Sequence, residues 1–72
     1  MTKINPSKIR KELGARLRQA REKIGLTQQQ VADAADIDVS YYAQIERGEV
    51  NPSFDVLHNI AQTLKIKSLD LS

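Results

Sequence analysis

The twenty residues from Thr27 to Glu46 restrict this chain more tightly than anything else in it. They read Thr-Gln-Gln-Gln-Val-Ala-Asp-Ala-Ala-Asp-Ile-Asp-Val-Ser-Tyr-Tyr-Ala-Gln-Ile-Glu. Thr27 is a good helix N-cap and Gln30 stands three residues on, so the two can satisfy two orphan amides reciprocally. Val31, Ala32 and Ala35 then share one helical face. Asp36-Ile37-Asp38 interrupts that pattern, and Asp38 is placed to cap a second helix whose apolar residues are Tyr42 and Ile45. The connection is short, so the second helix crosses the first closely. Ala32 allows this, because its small side chain lets two helix backbones approach.

The unit and its flanks resemble the Cro and phage-repressor class of helix-turn-helix proteins, the Xre-like family. Gln28, Ala32, Ile37, Tyr42 and Ile45 fall where that family has Gln, Ala and three apolar residues. The likeness runs on through Leu17-Arg18-Gln19-Ala20-Arg21-Glu22-Lys23-Ile24-Gly25-Leu26, through Ile45-Glu46-Arg47-Gly48, and to Asn51-Pro52-Ser53. It extends over roughly residues 9 to 71, and its specificity lies in these pieces occurring together, in order and at the right spacing. The resemblance implies an all-α, compact five-helix, lambda-repressor-like domain over residues 6–72 behind a tail at 1–5. Two positions depart from the family. Asp36 stands where Gly is usual, which implies a left-handed residue that Asp tolerates better than most. Tyr42 stands where a smaller aliphatic residue is common.

The rest of the chain fits five helices. Asn5-Pro6 starts the first, with Pro at the first helical position. Ile9, Leu13, Leu17, Ala20 and Ile24 mark its apolar face, and Gly25 ends it. Gly14 costs about 1 kcal/mol inside a helix and marks a place where another element can pack closely. The second helix of the motif spans 39–47, closed by Arg47-Gly48. Ser53 caps a fourth helix with apolar residues Phe54, Leu57, Ile60, Ala61 and Leu64, and a last short helix is expected over roughly 68–71. The sequence shows neither repeats nor a strand-like alternation.

Seventy-two residues make one domain, and a chain this short buries only about 60 % of its unfolded surface. Cysteine is absent and His58 is the single histidine. No disulfide, iron–sulfur or thiolate-zinc site is therefore possible, and no cofactor or metal is expected. The sequence has no apolar run of membrane-spanning length, and its N-terminus lacks a signal-peptide core, which points to a cytoplasmic protein without membrane contact. No nucleophile–base–orienter spacing marks it as an enzyme.

Charge is unevenly spread. Residues 1–26 carry eight Lys or Arg against two Glu, whereas residues 27–58 carry one Arg against six Asp or Glu. The basic end attracts phosphate, although composition alone equally describes a solvated cationic helix face. The acidic balance of the motif counts against DNA unless phosphate is gripped by backbone amides and neutral side chains.

Function enters through the resemblance. In the family the helix-1 Arg and the Glu at the end of the second motif helix form a buried ion pair, here Arg21 and Glu46. Arg21 also lies on the same side of its helix as Leu17 and Ile24. The second motif helix lies in the major groove of double-stranded DNA, and the family positions assign base contacts to Val39, Ser40, Tyr41 and Gln44. Gln44 matches adenine N6 and N7, and Val39 suits a thymine methyl. Phosphate contacts fall to Thr27 and Gln28 at one helix start and to Asn51 and Ser53 at another. Family members usually bind inverted-repeat operators as homodimers. Ile66, Leu69 and Leu71 either supply that two-fold contact or close the core. The resulting expectation is a sequence-specific transcriptional regulator, a repressor. The alternatives are a restriction–modification controller, which the Asp38-x-Ser40-Tyr41 start resembles, an antitoxin of the same fold, or a protein-interaction module that has lost DNA binding.

Overall fold

The computed structural model describes residues 5–65. Within them the chain forms four helices: α1 (Pro6–Lys23), α2 (Gln28–Ala35), α3 (Val39–Glu46) and α4 (Phe54–Leu64). The fifth helix expected over 68–71 lies outside the described residues, as do Ile66, Leu69 and Leu71.

Each helix begins on a side-chain cap. Asn5 Oδ1 accepts from the amides of Ser7 and Lys8 at 3.0 and 3.3 Å, with Pro6 just inside. The Thr27 hydroxyl accepts from the Gln30 amide at 3.1 Å while the Gln30 side chain accepts from the Thr27 amide at 2.8 Å, which completes the capping box. Asp38 caps α3 and Ser53 caps α4. Such caps each contribute about 0.5–2 kcal/mol.

The helix ends repeat one device. At Gly25, Asp36 and Gly48 the backbone turns left-handed, with φ of 77°, 60° and 73°. Each time, the residue after the turn donates its amide to a carbonyl five residues back: Leu26 to Arg21 at 3.1 Å, Ile37 to Ala32 at 2.9 Å, Glu49 to Gln44 at 3.0 Å. This is the Schellman arrangement, and it satisfies carbonyls that the helix end would leave orphaned. Asp36 therefore does the work usually given to Gly.

The core holds Leu17 from α1, Val31, Ala32 and Ala35 from α2, Tyr42 and Ile45 from α3, and Ile60 and Leu64 from α4. Two glycines set how closely α3 lies on α1. A Cβ on Gly14 would run into the carbonyl oxygens of Ile45 and Glu46, and a Cβ on Gly48 would meet the Lys11 backbone within 2.8 Å. Gly14 is thus a contact point between backbones.

Three apolar residues expected in the core stay at the surface. Ile9 is 49 %, Ile24 46 % and Phe54 68 % exposed. Ile9 lies before Lys11 and Gly14, the α1 residues against which Gly48 and the end of α3 are placed. Ile24 follows the last helical residue of α1, where the helical register no longer aims side chains inward. Phe54 is the first residue of α4 and stacks on His58 one turn along, with ring centroids 6.1 Å apart.

Candidate functional site

α3 presents one edge away from the core. Ser40 is exposed, and Val39, Tyr41 and Gln44 are half-buried. Val39 and Tyr41 also pack against the core from its margin, so they are shared between packing and surface. Tyr42, one residue on, is fully buried. Burial pushes its phenol up, and the charge of the Glu46 carboxylate adds to the effect. Its hydroxyl has no hydrogen-bond partner.

The start of α3 carries a tight side-chain pair. Asp38 Oδ2 accepts from the Ser40 amide at 3.0 Å and also from the Ser40 hydroxyl. These bonds hold the Asp38 carboxyl below the usual carboxylate range, the Ser40 hydroxyl being the largest influence. The Asp38 carboxylate is therefore ionised at neutral pH.

Beneath α3, Glu46 anchors a buried network. Arg21 Nε donates to Glu46 Oε2 at 2.7 Å and Arg21 Nη2 donates to Oε1 at 3.2 Å, a two-pronged pair. Arg21 Nη1 donates to the Leu26 carbonyl at 2.9 Å, and Gln28 Nε2 donates to Glu46 Oε1 at 3.0 Å. Burial alone would raise the Glu46 carboxyl. Bonds from the Arg21 guanidinium and the Gln28 amide outweigh it, so the carboxyl lies below its ordinary value. The Glu46 carboxylate in turn raises Arg21 further. One network thus ties α1, α2 and α3 together at their junction.

That junction opens into a cleft of about 290 Å³ lined by Arg18, Arg21, Gln28, Glu46 and Arg47. Arg18 pairs with Glu22 at 3.1 Å and Arg47 with Glu49 at 2.8 Å, both at the exposed rim. The rim is thus made of paired charges, and Gln28 of its lining belongs to the first turn of α2, where helix amides lack internal partners.

The four residues assigned to phosphate sit at two helix starts. Thr27 spends both its hydroxyl and its amide on the capping box, which leaves Gln28 and Gln29 as the first residues of α2. The Gln28 side chain is held inward by Glu46. Asn51 and Ser53 are exposed, and the Ser53 hydroxyl accepts from the Val56 amide at 3.2 Å. Sequence reasoning missed the role of Gln28 in the buried network, because a contact between residues 28 and 46 leaves no local signal. The Arg18–Glu22 pair was readable from its i,i+4 spacing. Among the described residues no three His, Cys, Asp or Glu side chains gather in a way that could hold a metal ion, and no helix is long and apolar enough to cross a membrane.

Comparison with known proteins agrees with this geometry. The family profile described as Helix-turn-helix matches residues 17–71. The chain is 42 % identical over 60 residues to the HTH-type transcriptional regulator DdrOP3 of Deinococcus deserti, covering 83 % of this chain and 46 % of that protein. It is 40 % identical over 55 residues to the immunity repressor protein of Bacillus phage phi105, covering 76 % of this chain and 38 % of that protein. The chain thus spans less than half the length of these two relatives. Among solved structures it is similar to the restriction-modification controller protein C.AhdI from Aeromonas hydrophila. The TM-score is 0.80 at 34 % identity, over 82 % of this chain and 89 % of that one.

Proposed function

This chain belongs to the Xre-like helix-turn-helix family, and from that membership we propose that it is a sequence-specific double-stranded DNA-binding transcriptional regulator, a repressor, that reads the major groove with α3. The observation that carries this reading is the free edge of α3. None of Val39, Ser40, Tyr41 and Gln44 is buried by the rest of the described chain. An eight-residue helix capped by Asp38 and fixed by the Glu46 network is a rigid element, which suits base recognition. Val39, Ser40, Tyr41 and Gln44 would meet base edges. Thr27, Gln28, Asn51 and Ser53, with the helix starts they occupy, would meet phosphates.

A single such domain touches few base pairs, so the operator is an inverted repeat bound by a homodimer, with half-sites about 34 Å apart. A monomer in equilibrium sedimentation at high micromolar concentration would remove the dimer. The protein acts without a cofactor and without catalysis, in the cytoplasm.

Selection of bound duplexes from a random DNA pool tests the whole reading. The expected product is a two-fold symmetric consensus. Failure to shift any duplex at micromolar protein and low salt would favour a protein-interaction module. A second reading, control of a restriction–modification system, is favoured by one observation: the likeness to C.AhdI takes in 89 % of that controller chain. A repressor and a controller share the DNA-reading edge, and the genes flanking the selected operator separate them.

A further inference from the structure

We infer that Ser40 and Asp38 together form an acceptor-only edge at the start of α3, so that this end of the helix selects a base carrying an exocyclic amino group, cytosine first and adenine second, and rejects guanine and thymine. The inference rests on the DNA-reading role proposed above and specifies what one part of it reads.

It starts from the direction of one hydrogen bond. A serine hydroxyl has one proton and two lone pairs, and by itself it can serve either a donor or an acceptor on a base. An ionised carboxylate can only accept. The Ser40 hydroxyl is bonded to Asp38 Oδ2, so the proton between them belongs to Ser40 and points at Asp38. The Asp38 carboxyl is lowered by that bond and by the Ser40 amide, which keeps it ionised at neutral pH. Ser40 therefore has only lone pairs left to show a base.

Asp38 adds to the same polarity. Both residues are exposed, and Asp38 precedes the first residue of α3. Its Oδ2 takes both bonds from Ser40, and the ionised carboxylate as a whole can only accept. In the major groove cytosine offers the N4 amino group and adenine offers the N6 amino group beside the N7 acceptor. Guanine offers only O6 and N7 acceptors, and thymine offers the O4 acceptor and a methyl. A carboxylate beside a guanine edge would set acceptor against acceptor. Adenine N7 shares that fault in part, which places cytosine above adenine.

The experiment compares selections from one random duplex pool by the wild-type protein, Ser40→Ala and Asp38→Asn. Asn caps a helix as well as Asp does, so the second variant keeps α3 while removing the charge and supplying an NH2 donor. Far-UV circular dichroism melts of both variants check that the fold is retained. Ser40→Ala should weaken selection at one position per half-site and leave the others intact, and in the wild-type consensus that position should be cytosine or, second, adenine. Preference there should fall by about fivefold to thirtyfold. Asp38→Asn should admit guanine at the same position or its neighbour. Guanine or thymine at the Ser40-sensitive position in the wild-type consensus overturns the inference, as does a Ser40→Ala consensus identical to wild type. If the wild-type protein enriches no duplex at all, the DNA-reading role fails, and the inference falls with it for that separate reason.

Discussion

Replacing Glu46 by Ala should unfold this domain or bring it close to unfolding. The Glu46 side chain is 3 % exposed and accepts two bonds from Arg21 and one from Gln28. Alanine would leave the Arg21 guanidinium, itself 12 % exposed, with only the Leu26 carbonyl from this network. Removing one partner of a buried pair typically costs about 3–5 kcal/mol, because the remaining charge is stranded. A domain of this size is stabilised by about 4–11 kcal/mol in total. Each kcal/mol shifts the melting temperature of a small domain by about 4–8 °C, so the expected fall is about 12–40 °C. Thermal melts followed by far-UV circular dichroism read it directly. A shift below about 5 °C would refute the idea that this network holds α1, α2 and α3 in place. The double variant Arg21→Met, Glu46→Leu sharpens the test. Swapping both charges for apolar groups of similar volume is often neutral, so it should recover most of the loss. Equal damage in the double variant would mean that shape at this junction, and not stranded charge, sets the cost.

Four further outcomes follow from the same geometry. Gly14→Ala should destabilise by about 1–3 kcal/mol in urea melts despite the better helix propensity of Ala, because its Cβ meets the Ile45 and Glu46 carbonyls. The Glu46 carboxyl is depressed in the fold, so its contribution is complete above its ordinary unfolded value, about 4.3, and is lost as pH falls through the folded value; Glu46→Gln should flatten the loss of stability in that acid range. Gln44→Ala should relax preference at one base pair by about 1–3 kcal/mol while overall affinity for other positions holds, read by competition binding. Wild-type affinity for its selected operator should fall with log salt at a slope of about −3 to −4 per subunit, and a slope near zero in a salt titration would exclude phosphate contact.

Much of the fold was legible because its local rules are strong. The capping box at Thr27 and Gln30 and the caps at Asn5, Asp38 and Ser53 each follow from a side chain acting on its own neighbouring backbone, and the stops at Gly25 and Gly48 from the lack of a Cβ that frees positive φ. Asp36 needed the family pattern as well, since nothing about Asp alone demands φ of 60°. Helix ends were harder to assign to the core. Periodicity put Ile9, Ile24 and Phe54 in the interior, but periodicity describes one helix and burial depends on what a second helix reaches. At the site, the Arg21–Glu46 pair was expected through the resemblance, whereas the turn of Gln28 towards Glu46 and the cleft at Arg18 and Arg47 required three helices to be in place.

The acidic balance of residues 27–58 is better understood from where its six carboxylates sit than from their sum. Asp33 accepts from Gln29 at 2.8 Å within α2, and Asp36 holds the left-handed turn. Asp38 caps α3. Glu46 lies in the buried network and Glu49 pairs with Arg47. Asp55 stands in the first turn of α4, where a negative charge favours the helix dipole. Five of the six carboxylates have a structural task, Asp36 contributing its backbone conformation, and two of them are matched by arginines that line the cleft. Most of the motif's negative charge is thus engaged within the fold, and Asp38 is the carboxylate that stands at the start of α3. On the proposed reading, the one carboxylate at that end should matter for base choice more than the other five together. Exchanging Asp38 for Asn should therefore alter which base is selected while leaving the salt slope almost unchanged. A large change in slope would mean that the motif's acidity acts on the duplex as a field, and the division of labour among these carboxylates would have to be abandoned.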